Sequence, residues 1–229
     1  MSDVIPLTEL KKNELYSRVI CYPEYDEGEL FKRLEEIRSL GVKAIEFRGE
    51  KTILNIPILG KGFVGIVLLA HTKDGRAVLK IRRTDADRES MIHEAEMLKI
   101  ANSVGVGPKL LGETKNVILM EFIDGLLISR WIETIGSWNV EDIKRVLREI
   151  LEKARRLDRV GLDHGELSQA SKHIIIDRDG HAHIIDFETA SVRRRVSNVT
   201  SICQYLFISG TVAEALTNHG MINLECYIP

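Results

Sequence analysis

The chain has 229 residues, enough for one large domain or two small lobes around a core that needs no disulfide or structural metal. Lys and Arg number 32 against 34 Asp and Glu, a net charge of -2, which excludes nucleic-acid binding through bulk positive charge but leaves a local basic patch open. A hydrophobic share of 44% excludes a disordered chain, and every apolar run falls far short of the ~18 residues of a membrane-spanning helix, so no membrane partner is expected.

Asp26 to Leu40 has helical apolar spacing (Leu30, Leu34, Ile37, Leu40) and stops at Gly41. The period then changes, predicting short strands at Val42 to Phe47, Thr52 to Leu59, Val64 to Ala70 and Ala77 to Arg82, with Lys73-Asp74-Gly75 as a hairpin turn. Glu89 to Ser103 reads as a helix, and Lys109 to Glu113 and Val117 to Phe122 as strands. Beyond Asp124-Gly125 the character shifts. Leu126 to Glu133 reads as a short helix and Val140 to Arg159 as a long amphipathic one, capped by Asn139 and stopped by Gly161. Two short strands, Ile174 to Ile176 and His181 to Ile185, flank Asp179-Gly180, and the chain from Val192 reads as mostly helical. This order predicts an α+β fold of two lobes, the first rich in strands and the second in helices.

The start, Met-Ser-Asp-Val-Ile-Pro-Leu, lacks the basic-then-apolar pattern of a signal peptide. Cys21, Cys203 and Cys226 are widely spaced and form no CxxC pair. Neither a disulfide framework nor a zinc site is expected, and a reducing cytoplasm suits such a chain.

Four stretches carry chemistry. Gly60, Gly62 and Gly65 spell G-x-G-x-x-G, followed by Val67. A dinucleotide-binding turn would open a helix, but here the third glycine leads into a β-favouring run. The glycines therefore cap a strand-turn-strand unit, a lid whose backbone amides can lie over nucleotide phosphates. Asp85 and Asp87 sit near the spacing of a ribose-binding acid, but the local structure is wrong for that role. Lys80 ends the next strand and can reach phosphates if an acid fixes it. Glu94 is the expected acid, with Glu96 left at the surface. Val117 to Gly125 is a strand at a crossover, whose backbone groups can pair with a purine edge. Asp186 ends the apolar run Ile184-Ile185, where an isolated carboxylate is costly unless a cation such as Mg²⁺ compensates it. An acid from the loop Leu162-Asp163-His164-Gly165-Glu166-Leu167 can orient an attacking hydroxyl.

From about Ile53 to Phe207 these residues together resemble the protein-kinase-like superfamily, nearest to the small atypical kinases of the RIO and KEOPS-associated kinds, and to archaeal predicted serine/threonine kinases. The resemblance implies a two-lobed fold with residues 1–50 as an N-terminal extension packed on the strand-rich lobe, 51–123 as that lobe and 124–229 as a shortened helical lobe. It implies ATP and Mg²⁺ (or Mn²⁺) and transfer of the γ-phosphate to a hydroxyl acceptor. Position by position, it makes Gly60, Gly62 and Gly65 the phosphate lid and Lys80 the phosphate contact paired with Glu94. Glu121 and Ile123 become the hinge backbone, and Asp186 the metal ligand.

The departures fall in the second lobe. Glu166 stands where the family has its catalytic aspartate, one methylene longer, with Asp163 the weaker substitute. The family's metal-binding Asn is missing. Ser171 and His173 are its positional candidates, His173 preferred, although His is a poor Mg²⁺ ligand, and Lys172 offers a direct phosphate contact. Glu188 replaces the usual Gly after Asp186-Phe187. These departures leave a nucleotide-binding pseudokinase or ATPase scaffold as one alternative; a small-molecule kinase, which shares the H-G-D-L wording, is another, although such kinases need a larger helical second lobe than this chain offers. Arg193-Arg194-Arg195 is a compact basic run, a candidate contact for RNA phosphate or an acidic partner.

Overall fold

The computed structural model describes residues 3–220, so Cys226 lies outside the described residues. In chain order its elements are β1 (Asp3–Pro6), α1 (Glu14–Ile20), α2 (Glu27–Ser39), β2 (Ala44–Phe47), β3 (Lys51–Ile53), β4 (Ile56–Ile58), β5 (Gly60–Lys61), β6 (Gly65–Thr72), β7 (Gly75–Arg82), α3 (Ile92–Ser103), β8 (Leu110–Glu113), β9 (Val117–Glu121), β10 (Gly125–Leu127), α4 (Ile128–Trp131), α5 (Val140–Arg159), β11 (Ile174–Asp177), β12 (Ala182–Ile184), α6 (Asn198–Cys203) and α7 (Thr211–Asn218). The fold is α+β, as the order of periodicities predicts. It divides into two compact units, Met1–Ala95 with Lys109–Phe122, and Glu96–Pro108 with Ile123–Pro229.

The first unit is built on an antiparallel sheet in the order β1-β2-β6-β7-β9-β8, with β5 also paired to β6. Its core is the alternating inward set of these strands packed under α2: Leu30, Leu34 and Ile37 meet Ile45, Phe47, Leu68, Leu79 and Leu119. Asp26 caps α2 by accepting from the Glu29 amide at 2.8 Å. Arg33 of α2, fully buried, spans to the Ile20 carbonyl at 2.8 Å and also donates to the Arg82 carbonyl. The N-terminal fifty residues thus contribute strands to the same sheet as the glycine turn.

The second unit rests on α5. Ile143, Val146, Leu147, Ile150, Ala154 and Leu157 are buried in the 3.6-residue stripe the sequence predicts, and Asn139 accepts from the Asp142 amide at 2.8 Å as its cap. The small sheet β10-β11-β12 lies in the same unit. Among the described residues no single helix is long and apolar enough to cross a membrane.

Several boundaries shift by one or two residues from expectation, and four differences have a clear physical cause. Thr52 to Leu59 is a hairpin, not one strand: Leu54 and Asn55 both take left-handed backbone (φ 51° and 64°) and reverse the chain. The helix expected from Glu89 begins at Ile92, because the Met91 amide donates to the Lys115 carbonyl at 2.8 Å instead of entering a helical ladder. The helix expected from Leu126 begins at Ile128, since Gly125–Leu127 pairs antiparallel with β11. Gly125 permits this: a Cβ there would stand 2.2 Å from the Ile176 carbonyl oxygen. After Val192 the chain is not helical until Asn198, because Ser191 bridges to Asp163 and Arg194 and Ser197 are tied to the Asp163 carboxylate.

Candidate active site

In the first unit the glycines form the expected strand-turn-strand. Gly60 and Lys61 pair with Val67 and Ile66, and the Gly62 amide donates to the Gly65 carbonyl at 2.8 Å across the tip, where Phe63 is almost wholly exposed. Two ties from outside the motif hold the turn. Lys61 donates to the Tyr22 hydroxyl at 2.6 Å, and Arg83, stacked over the Tyr22 ring, donates to the Gly62 carbonyl at 3.0 Å. Asp85 binds Arg83 in a fork of 2.8 and 2.6 Å, and this bond holds its carboxyl below the usual range. Its spacing from the glycines thus reflects a guanidinium clamp, not a ribose contact.

Lys80 of β7 and Glu94 of α3 form a buried ion pair, Nζ to Oε1 at 2.8 Å, each about 5% exposed. The lysine stem passes across Gly65. A Cβ at Gly65 would lie 3.2 Å from Lys80 Cγ and 3.3 Å from Cε, so a side chain there would displace the lysine. Glu121 ends β9, and its carboxylate accepts the Lys109 amide at 3.0 Å. Ile123 is the first residue of the second unit's longer segment.

In the second unit, Glu166, His173 and Asp186 converge. His173 Nε2 lies 3.8 Å from Glu166 Oε2, and His173 Nδ1 lies 3.8 Å from Asp186 Oδ2. His173 is buried while both carboxylates are partly open, and Glu166, His173 and Lys172 line one open cavity of about 260 Å³ with Gly165, Ser168 and Gln169. Ser171 sits in the turn Leu167–Lys172 before it. Asp186 holds left-handed backbone, φ 68°, which costs a non-glycine residue about 1–2 kcal/mol and persists where packing over-determines it. That packing is visible: Phe187 is buried, its ring 5.1 Å from that of His164, and it lies so close to Gly107 that a Cβ there would meet it at 2.9 Å.

His164 is fully buried. Its Nε2 donates to the Ile185 carbonyl at 3.0 Å, its ring stands edge-on to His173 at 5.4 Å, and burial pushes its pKa down to about 4, so it is a neutral prop. Asp163 is buried and bound to Arg194 at 2.9 Å, a strut with no opening for an acceptor. Two supports were not visible in the motifs. Thr189 donates between the His164 carbonyl (3.0 Å) and Glu166 Oε2 (3.2 Å), and buried Asn198 donates to the Leu162 carbonyl and accepts the His164 amide. Thr189 follows Asp186 closely enough for a segment scan to have raised it; Asn198 had no local signal.

The donor set has a direct bearing on the cation. Two carboxylates and one imidazole fit a divalent ion that accepts nitrogen, whereas a Mg²⁺ site built from oxygen alone is not what these residues offer. Among the described residues Cys21 and Cys203 form no disulfide; burial pushes the Cys21 thiol up to about 11, so it is inert, and burial also raises that of Cys203.

Residues 70–199 match the RIO domain. An uncharacterized protein of Methanocaldococcus jannaschii, MJ1211, is 27% identical over 106 residues, covering 46% of this chain and 87% of that protein. The RIO match takes in Lys80, Glu94, Glu166, His173 and Asp186, the residues that the two units each arrange around their own centres. The chain therefore belongs to the RIO family of atypical, protein-kinase-like proteins.

Proposed function

We propose that the chain is an ATP- and divalent-cation-dependent phosphotransferase of the atypical serine/threonine kinase type. The buried Lys80–Glu94 pair carries this reading, because it sits against the glycine turn and two charges are buried together there at a cost that simple stability does not require. In this reading residues 51–123 are the nucleotide-holding lobe, 1–50 its extension and 124–229 the reduced acceptor lobe. The amides of Gly60, Gly62 and Gly65 cover the phosphates, Lys80 contacts them, and the backbone at Glu121 and Ile123 pairs with the base. Asp186 and His173 hold the cation, which when bound neutralises charge on the phosphoryl group. Glu166 orients the acceptor hydroxyl and takes its proton. Phosphoryl transfer depends mainly on positioning and electrostatics, so a Glu in place of the family's Asp is compatible with turnover.

A second reading, a nucleotide-binding scaffold, is favoured by one observation: imidazole stands where an oxygen ligand is expected. Incubation with ATP labelled in the γ-phosphate, with Mg²⁺ or Mn²⁺ and with protein and small alcohol acceptors, separates the two. The kinase reading expects label on a serine or threonine, lost in Asp186→Ala and retained in Glu96→Ala. Tight ATP binding with no transfer to any acceptor supports the scaffold, and no ATP binding overturns both. Arg194 is engaged by Asp163, so any RNA contact of the basic run falls to the exposed Arg193 and Arg195.

A further inference from the structure

We propose that Glu166, His173 and Asp186 form a site for a divalent transition metal of the manganese-to-zinc class, and that His173 makes it prefer such an ion over Mg²⁺. The inference rests on the reading above in taking Asp186 and His173 as metal ligands, and adds one oxygen of Glu166, whose other oxygen remains for the acceptor hydroxyl. Its physical basis is His173 Nδ1, a buried nitrogen with no hydrogen-bond partner that stands 3.8 Å from Asp186 Oδ2. That separation is too long for a hydrogen bond. It is right for an ion between them: bonds of about 2.1 Å place two ligand atoms about 3.0 Å apart at a right angle and about 4.2 Å apart when opposed. Glu166 stands nearer the other ring nitrogen, Oε2 to Nε2 at 3.8 Å, but one of its oxygens lies within 4.8 Å of the other two ligand atoms, so a small side-chain rotation brings it to the ion as a third ligand.

The imidazole is held for this task. Its backbone is clamped on both sides, the His173 amide on the Ala170 carbonyl at 3.0 Å and its carbonyl on the Ile185 amide at 2.9 Å, and its ring packs edge-on against neutral His164. A nitrogen so fixed and so buried is costly unless something binds it. Mg²⁺ is a poor candidate, since it demands oxygen ligands and gives up water reluctantly. Ions that accept imidazole bind in the rising order of manganese, iron and cobalt, so nitrogen in the donor set steepens selectivity along that series. The cavity lined by Glu166 and His173 leaves room for the ion's remaining ligands, water or phosphate oxygen.

The test uses the full chain stripped with a chelator and titrated without nucleotide. Equilibrium dialysis compares Mg²⁺, Mn²⁺ and Co²⁺, and the visible spectrum of bound Co²⁺ reports nitrogen ligation. The expected order is Co²⁺ tighter than Mn²⁺ tighter than Mg²⁺, with Mn²⁺ at least about tenfold ahead of Mg²⁺. His173→Asn should shrink that gap to about twofold and change the Co²⁺ spectrum. Glu166→Gln, at a partly exposed position, should fold regardless and weaken all three ions by about tenfold. Equal binding of Mn²⁺ and Mg²⁺ by the native chain, or an unchanged preference in His173→Asn and unchanged affinity in Glu166→Gln, overturns the site. Labelled-ATP transfer measured on the same samples keeps the two readings apart. Ion selectivity without transfer upholds the site against the kinase reading, and transfer with no selectivity does the reverse.

Discussion

At the scale of single residues, the candidate site is a set of costs that the proposed function accounts for. Lys80 and Glu94 are both buried, so removing one breaks a buried ion pair, which destabilises by about 3–5 kcal/mol. Lys80→Met should therefore lower the unfolding free energy measured in urea by that amount, and adding Glu94→Leu should restore most of it, while ATP binding fails in both. A double variant that also recovers nucleotide affinity would mean the pair is structural. Asp186 stores backbone strain at φ 68°. Asp186→Gly should then be more stable than Asp186→Ala by about 1 kcal/mol, both being inactive; equal melting curves would contradict the strain. His164 is neutral in the fold, with a pKa pushed down to about 4 by burial, while Glu166, His173 and Asp186 lie around it. Its contribution to stability is whole above the ordinary value of 6.5 and is lost as pH falls from there towards 4, on the order of a few kcal/mol. The native chain should lose that stability across this window and His164→Phe should not, as read by unfolding at stepped pH.

At the scale of elements, a chain of hydrogen bonds inside the first unit links the N-terminal segment to the start of the helix that carries Glu94. Glu36 of α2 accepts the Asn116 amide at 2.9 Å and its side-chain amide at 2.7 Å, and takes the Thr114 hydroxyl as well. These bonds fix the turn between β8 and β9, whose Lys115 carbonyl accepts from Met91 and so sets where α3 begins. Glu36→Ala should cost about 2–3 kcal/mol in unfolding and raise the Kd for ATP, because α3 carries Glu94; a stable variant with native ATP affinity would break the link. Nothing in the sequence marks Glu36, which looks like any charged residue on an amphipathic helix. The same holds for Tyr22, which pins the glycine turn through Lys61 and Arg83. Periodicity shows which face of α2 is buried, and it correctly placed α5 from end to end, because both are decided by local spacing. It failed at Leu54-Asn55 and at Gly125, where the outcome depends on which strand the backbone meets, a contact remote in sequence.

At the scale of the whole molecule, what was legible followed the same division. The glycine turn, Lys80 with Glu94, and the convergence of Glu166, His173 and Asp186 could be read because motif order constrains them together, although each residue alone looks like an ordinary surface or turn residue. The struts around them, Arg194 on Asp163 and Thr189 under Glu166, could not, since each joins segments by tertiary packing alone. A net charge of -2, with Arg194 of the compact arginine run already bound to Asp163, argues against binding through bulk positive charge. The central claim, that this RIO-family chain moves phosphate to a hydroxyl with Glu166 as the acceptor-orienting carboxylate, is tested most directly by comparing products from γ-labelled ATP in the native chain and in Glu166→Gln at saturating metal. The account predicts label on a serine or threonine acceptor in the native chain, and in Glu166→Gln a loss of transfer of about 100-fold or more with ATP affinity kept within about twofold. Label found only as inorganic phosphate, or transfer undiminished in Glu166→Gln, would contradict it.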